Sequence, residues 1–526
     1  MRYIYLVAIF FLSVSLGAQD MQWQRTFGGK HAEYLFDGLR TLDYGFMMVG
    51  GALSESGDVP VHYGGFDGFV TKISEFGDKE WTRVWGGRGD DIIRCISATR
   101  DGGYLLAVSS SSDKSGNKKL PSVGLQDIWL IKINIAGEEE WQQVIGGPAD
   151  DIPVRITQTR DGGYLIGAIT YSDASPANDS LENMPGIYIK QSPHYGHADY
   201  WIIKLNHSGL LEWEVTLGGR QVDMISGITE LKDGTIVAAG FSNSMLSGTK
   251  KFAPKGKNDW WIVALDMKGQ LLWQLSEGDQ GNDETSSVVA LPDGSFAVGG
   301  FMAKNEDSEK TENTDMVIIR YNEAGERIWK KTYHQSEKDI SRDLIRNKDG
   351  TLILGGFSMT VNKQKTNEKQ PVKRNEEDFL LIKVNSDGEE LWRKSFGGPG
   401  KEDLSRIIEL RDGGYALLGT KIHRHSKTAN TDFLIMKLSD PDKPEVKPLP
   451  LEAIPNPAGS YTQAVIGMPY EKGKVMVTDL HGNILDSFEI SKNRIIPIRL
   501  EGYRPGIYII HIEVDRMAGS IKVIKQ

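Results

Sequence analysis

A single cysteine, Cys95, stands in the 526 residues, so no intramolecular disulfide is available and the fold must rest on its core. The apolar run near the start is too short to span a bilayer, and no other segment approaches the roughly 18 uninterrupted apolar residues of a membrane-spanning helix, so no span is expected. Basic residues are outnumbered, 61 Lys and Arg against 71 Asp and Glu, for a net charge of -10. That balance opposes a phosphate-neutralising surface and argues against nucleic acid as a partner. Phosphate loop, nucleophile elbow, zinc-protease helix and dinucleotide fingerprint are all missing, so no catalytic residue is assigned.

Residues 1–18 read as a secretory signal: Arg2 supplies the charge, Ile4 to Leu12 the apolar stretch, and Gly17 and Ala18 the small residues of a cleavage region. No cysteine lies there to accept a lipid.

The dominant feature is a repeat. Trp23, Trp81, Trp141, Trp213, Trp273, Trp329 and Trp392 recur about every 60 residues, enough for four strands and their loops. Between them fall an Asp-Gly turn (Asp101, Asp161, Asp233, Asp293, Asp349 and Asp412, with Asp43-Tyr44-Gly45 a looser copy), an aspartate opening an apolar strand (Asp67, Asp127, Asp199, Asp259, Asp315, Asp378 and Asp432), and a four-residue turn ending in glycine such as Asn134 to Gly137. Asp-Gly between apolar runs marks a hairpin, and a strand apolar on both faces is covered on both sides. The pattern predicts an all-β fold, a seven-bladed β-propeller of four-stranded blades. The chain starts on a tryptophan strand without partners, Met21 to Phe27, and the array ends on a strand lacking its fourth, Asp432 to Leu438. These ends are expected to complete one blade and close the ring.

Residues 440–455 carry repeated prolines and read as a linker. The expected division is signal 1–18, propeller 19–439, linker 440–455 and a small β-sandwich at 456–526. Four motifs in that tail, Pro455-Asn456-Pro457-Ala458, the hairpin from Val477 through Asp479 to Gly482, Arg504-Pro505-Gly506-Ile507-Tyr508, and the basic ending Lys522 to Lys525, resemble the C-terminal sorting domain of the type IX secretion system of Bacteroidetes. The resemblance implies the type IX translocon and its sorting machinery as partners, Sec-dependent export, and a final position in the extracellular space or on the outer-membrane surface.

Long connections all join the second and third strands, so they share one rim, the expected binding face. Candidate contacts there are Tyr63, Phe66, Tyr171, Tyr188, Tyr195, Lys250, Lys251 and Phe252 for stacking on sugars or gripping a peptide, with His194 and His197 in the same loop as Tyr195 and His423 and His425 in the last long loop. No cofactor or metal is expected; calcium at Asp90-Asp91 and Asp150-Asp151 is the weaker reading, since their spacing forms no EF-hand loop. The aspartates opening the third strands are expected to bond backbone in turns. A second acidic series, Glu33, Asp91, Asp151, Asp223, Asp283, Asp339 and Asp403, and a basic one, Lys72, Lys132, Lys204, Arg320, Lys383 and Lys437, are expected to satisfy one another. The leading functional expectation is a non-enzymatic module binding glycan or protein; a polysaccharide lyase or glycoside hydrolase, and a structural scaffold, are the alternatives.

Overall fold

The computed structural model describes residues 21–175, 181, 184–303, 313–359, 377–396, 401–410, 412–423, 430–439, 447–449, 451–480, 482–515 and 517–526. All its regular structure among the described residues is β, in seven antiparallel four-stranded blades followed by a two-sheet tail, with one short strand of the blade 3 long loop, Ile187–Ile189, added in parallel to the outer strand of blade 2. Blade 1 is built from Glu33–Arg40, Phe46–Ala52, Asp67–Ile73 and Lys79–Trp85, in the order inner strand, Asp-Gly hairpin, aspartate strand, tryptophan strand. Blades 2 to 6 repeat this over 91–146, 151–217, 223–277, 284–333 and 338–396. Blade 7 takes three strands from the end of the array and its fourth from Met21–Phe27, which pairs with Thr431–Leu438 from Phe27 opposite Phe433 to Met21 opposite Leu438. The ring is closed as the repeat requires.

Each third strand is apolar on both faces because it serves two cores. In Asp127–Ile133 every residue is buried: Trp129 and Ile131 pack toward blade 1, Ile128 and Leu130 toward blade 3. Such a core lies between every adjacent pair of blades, and Phe69 against Phe433, ring centres 5.0 Å apart, joins blade 1 to blade 7. Tryptophan marks the outermost strand because the next blade rests its glycine turn on it. A side-chain carbon at Gly137 would fall 2.7 Å from Trp81, and one at Gly269 2.7 Å from Trp213. These turn glycines also sit at positive φ, 74° at Gly137, so both space and backbone demand glycine. Tyr44, in the looser first copy of the Asp-Gly turn, takes φ 65° where the other blades place glycine.

Blades are stapled main chain to main chain. The N–H of Asp91 donates to Phe66, that of Asp151 to Gln126 and that of Asp223 to Ala198, at 2.6, 2.7 and 2.7 Å. Every innermost strand also carries a bulge, at Phe36, Arg94, Val154, Ser226, Ser286, Arg342 and Ser405, which bends it around the axis.

The tail packs a sheet of five strands against one of three. Its first strands, Lys447–Pro448 and Leu451–Ile454, lie inside the segment read from sequence as linker, and Leu449 is buried in the tail core. The prolines misled because the spacing of Leu449, Leu451 and Ala453 is a strand alternation that proline at an edge tolerates. The tail touches the turn face of the propeller, where the Tyr44 hydroxyl lies 3.0 Å from His511 Nε2 and Leu480 approaches Gly102.

Candidate functional site

On the loop face, blade junctions bring together the aspartate of one third strand and the acid opening the next inner strand, as Asp67 with Asp91, Asp127 with Asp151, Asp259 with Asp283 and Asp432 with Glu33. The inner acids accept an N–H from four residues back: Gly87 to Asp91, Gly147 to Asp151 and Gly219 to Asp223, each 2.7 Å. The third-strand aspartates do likewise, from Tyr63 to Asp67 at 2.6 Å, Val123 to Asp127 at 2.7 Å and Tyr195 to Asp199 at 2.7 Å. In these blades both acids are backbone-bonding devices that fix the long loops. The expected pairing of the second acidic series with the basic series is corrected. Lys72, Lys132, Lys204, Arg320 and Lys437 lie at the other end of their strands and pair with the Asp-Gly aspartates, 3.1 Å to Asp43, 2.9 Å to Asp101, 2.8 Å to Asp161, 2.5 Å to Asp293 and 3.6 Å to Asp412.

A third basic series takes the place beside the loop-face acids. Lys118, Lys190 and Lys250 come from the long loops, are buried, and lie 5.6, 5.7 and 5.6 Å from the ring centres of Trp129, Trp201 and Trp261. Lys118 donates to the Ser110 hydroxyl at 2.8 Å and the Ser112 carbonyl at 2.6 Å, and Lys250 to the Ser242 hydroxyl. Lys250 is therefore corrected from a surface contact to a buried structural cation, and burial brings its ammonium down to about 8. The signal for this series is Ser115-Gly116-Asn117-Lys118 recurring as Ser247-Gly248-Thr249-Lys250. Each such loop hooks the preceding blade: Asn117 N–H donates to Gly86 at 3.1 Å and Thr249 N–H to Gly218 at 2.9 Å.

Burial pushes Asp67, Asp127, Asp151 and Asp283 up to about 6, and for Asp67 and Asp127 the carboxylate across the junction, Asp91 or Asp151, adds to it. At the turn face burial is outweighed: bonds from Lys204, Thr159 and Gly163 hold Asp161 at about 2. A raised carboxyl binds its proton more tightly in the folded chain, so its contribution grows as pH falls from 7 toward the unfolded value near 4; a depressed one loses its contribution only below that. Thermal melting is expected to peak at roughly pH 5, above its value at pH 7.5. A melting temperature falling steadily from pH 7.5 to 5 contradicts this.

The candidate contacts are spread over blades 1, 3, 4 and 7 rather than gathered into one pocket. Tyr63, His197, Lys251 and Phe252 are exposed; Phe66, Tyr171, Tyr188 and Tyr195 are half-buried, Phe66 with its ring centre 5.9 Å from Tyr34. His194 Nδ1 lies 2.7 Å from Asp199 and His423 Nε2 2.8 Å from Asp432, while His425 falls outside the described residues. The loop face further exposes Leu125, Met184, Met245 and Leu246, which the sequence reading did not single out.

The ring axis holds a cluster of opposite charges. Arg406 reaches Asp37 and Asp343 at 3.0 Å each, and Arg155 approaches the same two at 3.7 and 4.0 Å. The carboxylates also accept N–H groups from Ile96 at 3.1 Å and Ile407 at 2.9 Å and the Ser287 hydroxyl at 2.8 Å, so inner strands of blades 1, 2, 3, 5, 6 and 7 meet there. Cys95 beside it is buried, and burial pushes its thiol far above the usual range. On the turn face a cleft of about 520 Å³ is lined by Arg40, Thr99, Arg100, Tyr104 and Gln158, with Leu480 of the tail at its edge.

In the tail, Asn456 Nδ2 donates to the Lys522 carbonyl at 2.6 Å and its Oδ1 accepts the Ile524 N–H at 2.9 Å, fixing the Pro455-Asn456-Pro457 turn to the last strand. Asp479 accepts from Asn483 across the Gly482 turn at 2.9 Å, and the Tyr508 hydroxyl donates to the Arg504 carbonyl at 2.7 Å around Pro505-Gly506. Gly506 pairs with Lys525 at the chain end. The four motifs are the turns and edges that register this sandwich. Residues 452–526 match the family model described as a secretion system C-terminal sorting domain. The tail is a sorting domain. It directs export by the type IX route, to the cell surface or the extracellular space.

The chain is similar to segments of two curated proteins. It is 24% identical over 263 residues to the regulatory protein FlaEY of Caulobacter vibrioides, covering 46% of this chain and 25% of that one. It is 21% identical over 209 residues to an uncharacterized WD repeat-containing protein of Acanthamoeba polyphaga mimivirus, covering 36% and 15%. The chain thus spans a quarter or less of the length of these relatives. Similar solved structures include an ulvan-degrading polysaccharide lyase, with TM-score 0.43, 10% identity and coverage of 79% and 96%, and Drosophila Semaphorin 2a, with TM-score 0.42, 8% identity and coverage of 95% and 97%. No helix among the described residues is long and apolar enough to cross a membrane.

Proposed function

We propose that the chain leaves the cytoplasm by an N-terminal secretory signal, is delivered by its tail, and binds glycan or protein through the loop face of the propeller without turning it over. The observation that supports this is the arc of exposed apolar side chains along blades 1 to 4: Tyr63, Leu125, Met184, Met245, Leu246 and Phe252, at 36, 68, 37, 59, 66 and 42% exposure. These six sit on long loops, those of blades 2 and 4 pinned by the buried Lys118 and Lys250, so they are held in place and can be covered by a partner at small ordering cost. The two arginines and two aspartates at the axis pair with one another, which commits them to structure rather than to acid–base chemistry.

The test is a glycan and surface-protein binding array combined with assays for new reducing ends and unsaturated sugar products. Binding without turnover is expected, and Phe252→Ala combined with Leu246→Ala should weaken it at least about tenfold at unchanged melting temperature. Turnover of any bound polysaccharide overturns the non-enzymatic reading; binding untouched by the double variant overturns the choice of face.

A further inference from the structure

One junction departs from the other six in its chemistry. Five residues before each inner-strand acid the ring places glycine, as at Gly28, Gly86, Gly146, Gly218 and Gly278. Space explains it: a side-chain carbon there would fall 1.7 Å from Asp67 Oδ1 at Gly86, 2.0 Å from Asp127 at Gly146 and 1.8 Å from Asp199 at Gly218. Between blades 5 and 6 the same position is His334. Its Nδ1 lies 2.7 Å from Asp315 Oδ1 and 3.9 Å from Asp339 Oδ2. Among the described residues this is the one place where three His, Cys, Asp or Glu side chains bring a donor atom each within 4.8 Å of one another.

We propose that Asp315, His334 and Asp339 bind a divalent transition-metal ion, zinc being the probe of choice. One imidazole nitrogen and two carboxylates suit zinc or manganese, whereas calcium prefers an all-oxygen shell. Ligand atoms around zinc at about 2.0–2.2 Å sit roughly 3–3.5 Å apart; the two separations from His334, 2.7 and 3.9 Å, are close to that, and all three donor atoms lie within 4.8 Å, so the side chains must draw together around the ion. Asp339 is held in place by its Oδ2 accepting the Gln335 and Ser336 N–H groups at 2.7 and 3.0 Å and its Oδ1 the Ser336 and Ser358 hydroxyls at 3.0 and 2.7 Å, so a metal contact there replaces one of these bonds, and Asp315 and His334 are the primary ligands. Asp315 and Asp339 are buried whereas the His334 side chain is 57% exposed, which leaves an entry path and room for solvent to complete the shell. The other histidine-aspartate contacts, His194 with Asp199 and His423 with Asp432, bring together two donors and act as internal controls.

The experiment is titration of the metal-stripped mature chain with zinc chloride by calorimetry, with bound zinc counted after dialysis. About one zinc per chain is expected, with a raised melting temperature. His334→Gly restores the residue of the other junctions, and His334→Gln keeps the bulk without the imidazole nitrogen. Each should weaken binding at least about tenfold, as should Asp315→Asn, while His194→Ala and His423→Ala leave it unchanged. Absence of saturable zinc binding, or wild-type binding by a folded His334→Gly or His334→Gln chain, overturns the site and leaves the contact a simple hydrogen bond.

Discussion

Asp343→Ala is expected to destabilise the propeller by about 3–5 kcal/mol, read from urea or guanidinium unfolding of the folded chain. Asp343 has no exposed side-chain surface, and its Oδ1 meets Arg406 at 3.0 Å, Arg155 at 4.0 Å and the Ser287 hydroxyl at 2.8 Å. Its Oδ2 accepts the Ile407 N–H at 2.9 Å. The truncation leaves two guanidinium groups sharing Asp37 alone and a buried N–H without its acceptor, and both penalties fall on strands of different blades. Because the cluster ties blade 6 to blades 3 and 7, the loss should also lower unfolding cooperativity, seen as a reduced denaturant slope. Asp343→Asn, which keeps the shape and an acceptor oxygen, should cost less. A loss under about 1 kcal/mol for the alanine variant would show that the axis is wet enough to solvate the arginines and that the cluster is not a clamp.

The parts of this molecule that repeat are legible in its sequence, and the parts that do not repeat are hidden there. Tryptophan, Asp-Gly and strand-opening aspartate recur because each junction solves the same packing problem, so strand order, blade number and the closure by Met21–Phe27 follow from spacing. The axial cluster is different: Asp37, Arg155, Asp343 and Arg406 occur in different blades, are separated by up to several hundred residues, and no periodicity relates them. Side-chain direction in loops was equally hidden. Lys250 and Lys251 are neighbours in one loop, yet the first points into the acidic junction and the second to solvent. His334 was visible only as a gap in a glycine series, a departure that acquires meaning once Gly86 and its equivalents are seen to lie against a carboxylate.

That contact supplies the second large effect. Gly86→Ala is expected to cost about 3 kcal/mol, because the added carbon would sit 1.7 Å from Asp67 Oδ1 and 2.7 Å from its Cγ. The carboxylate cannot swing away freely, since Oδ2 holds the Tyr63 N–H at 2.6 Å and with it the end of the blade 1 loop. Gly350→Ala provides the contrast: nothing lies within 4 Å of a carbon added there, but φ is +86°, so the cost is conformational, about 1–2 kcal/mol. The two glycines are thus required for separate reasons, one by a neighbour and one by the backbone. A double-mutant cycle distinguishes them. With Asp67→Ala in the background, the penalty of Gly86→Ala should shrink by at least about 1 kcal/mol, whereas that of Gly350→Ala should not change. If Gly86→Ala costs no more than Gly350→Ala, or is unaffected by removing Asp67, then the carboxylate is not what holds glycine at the blade junctions, and the significance of histidine at position 334 weakens with it.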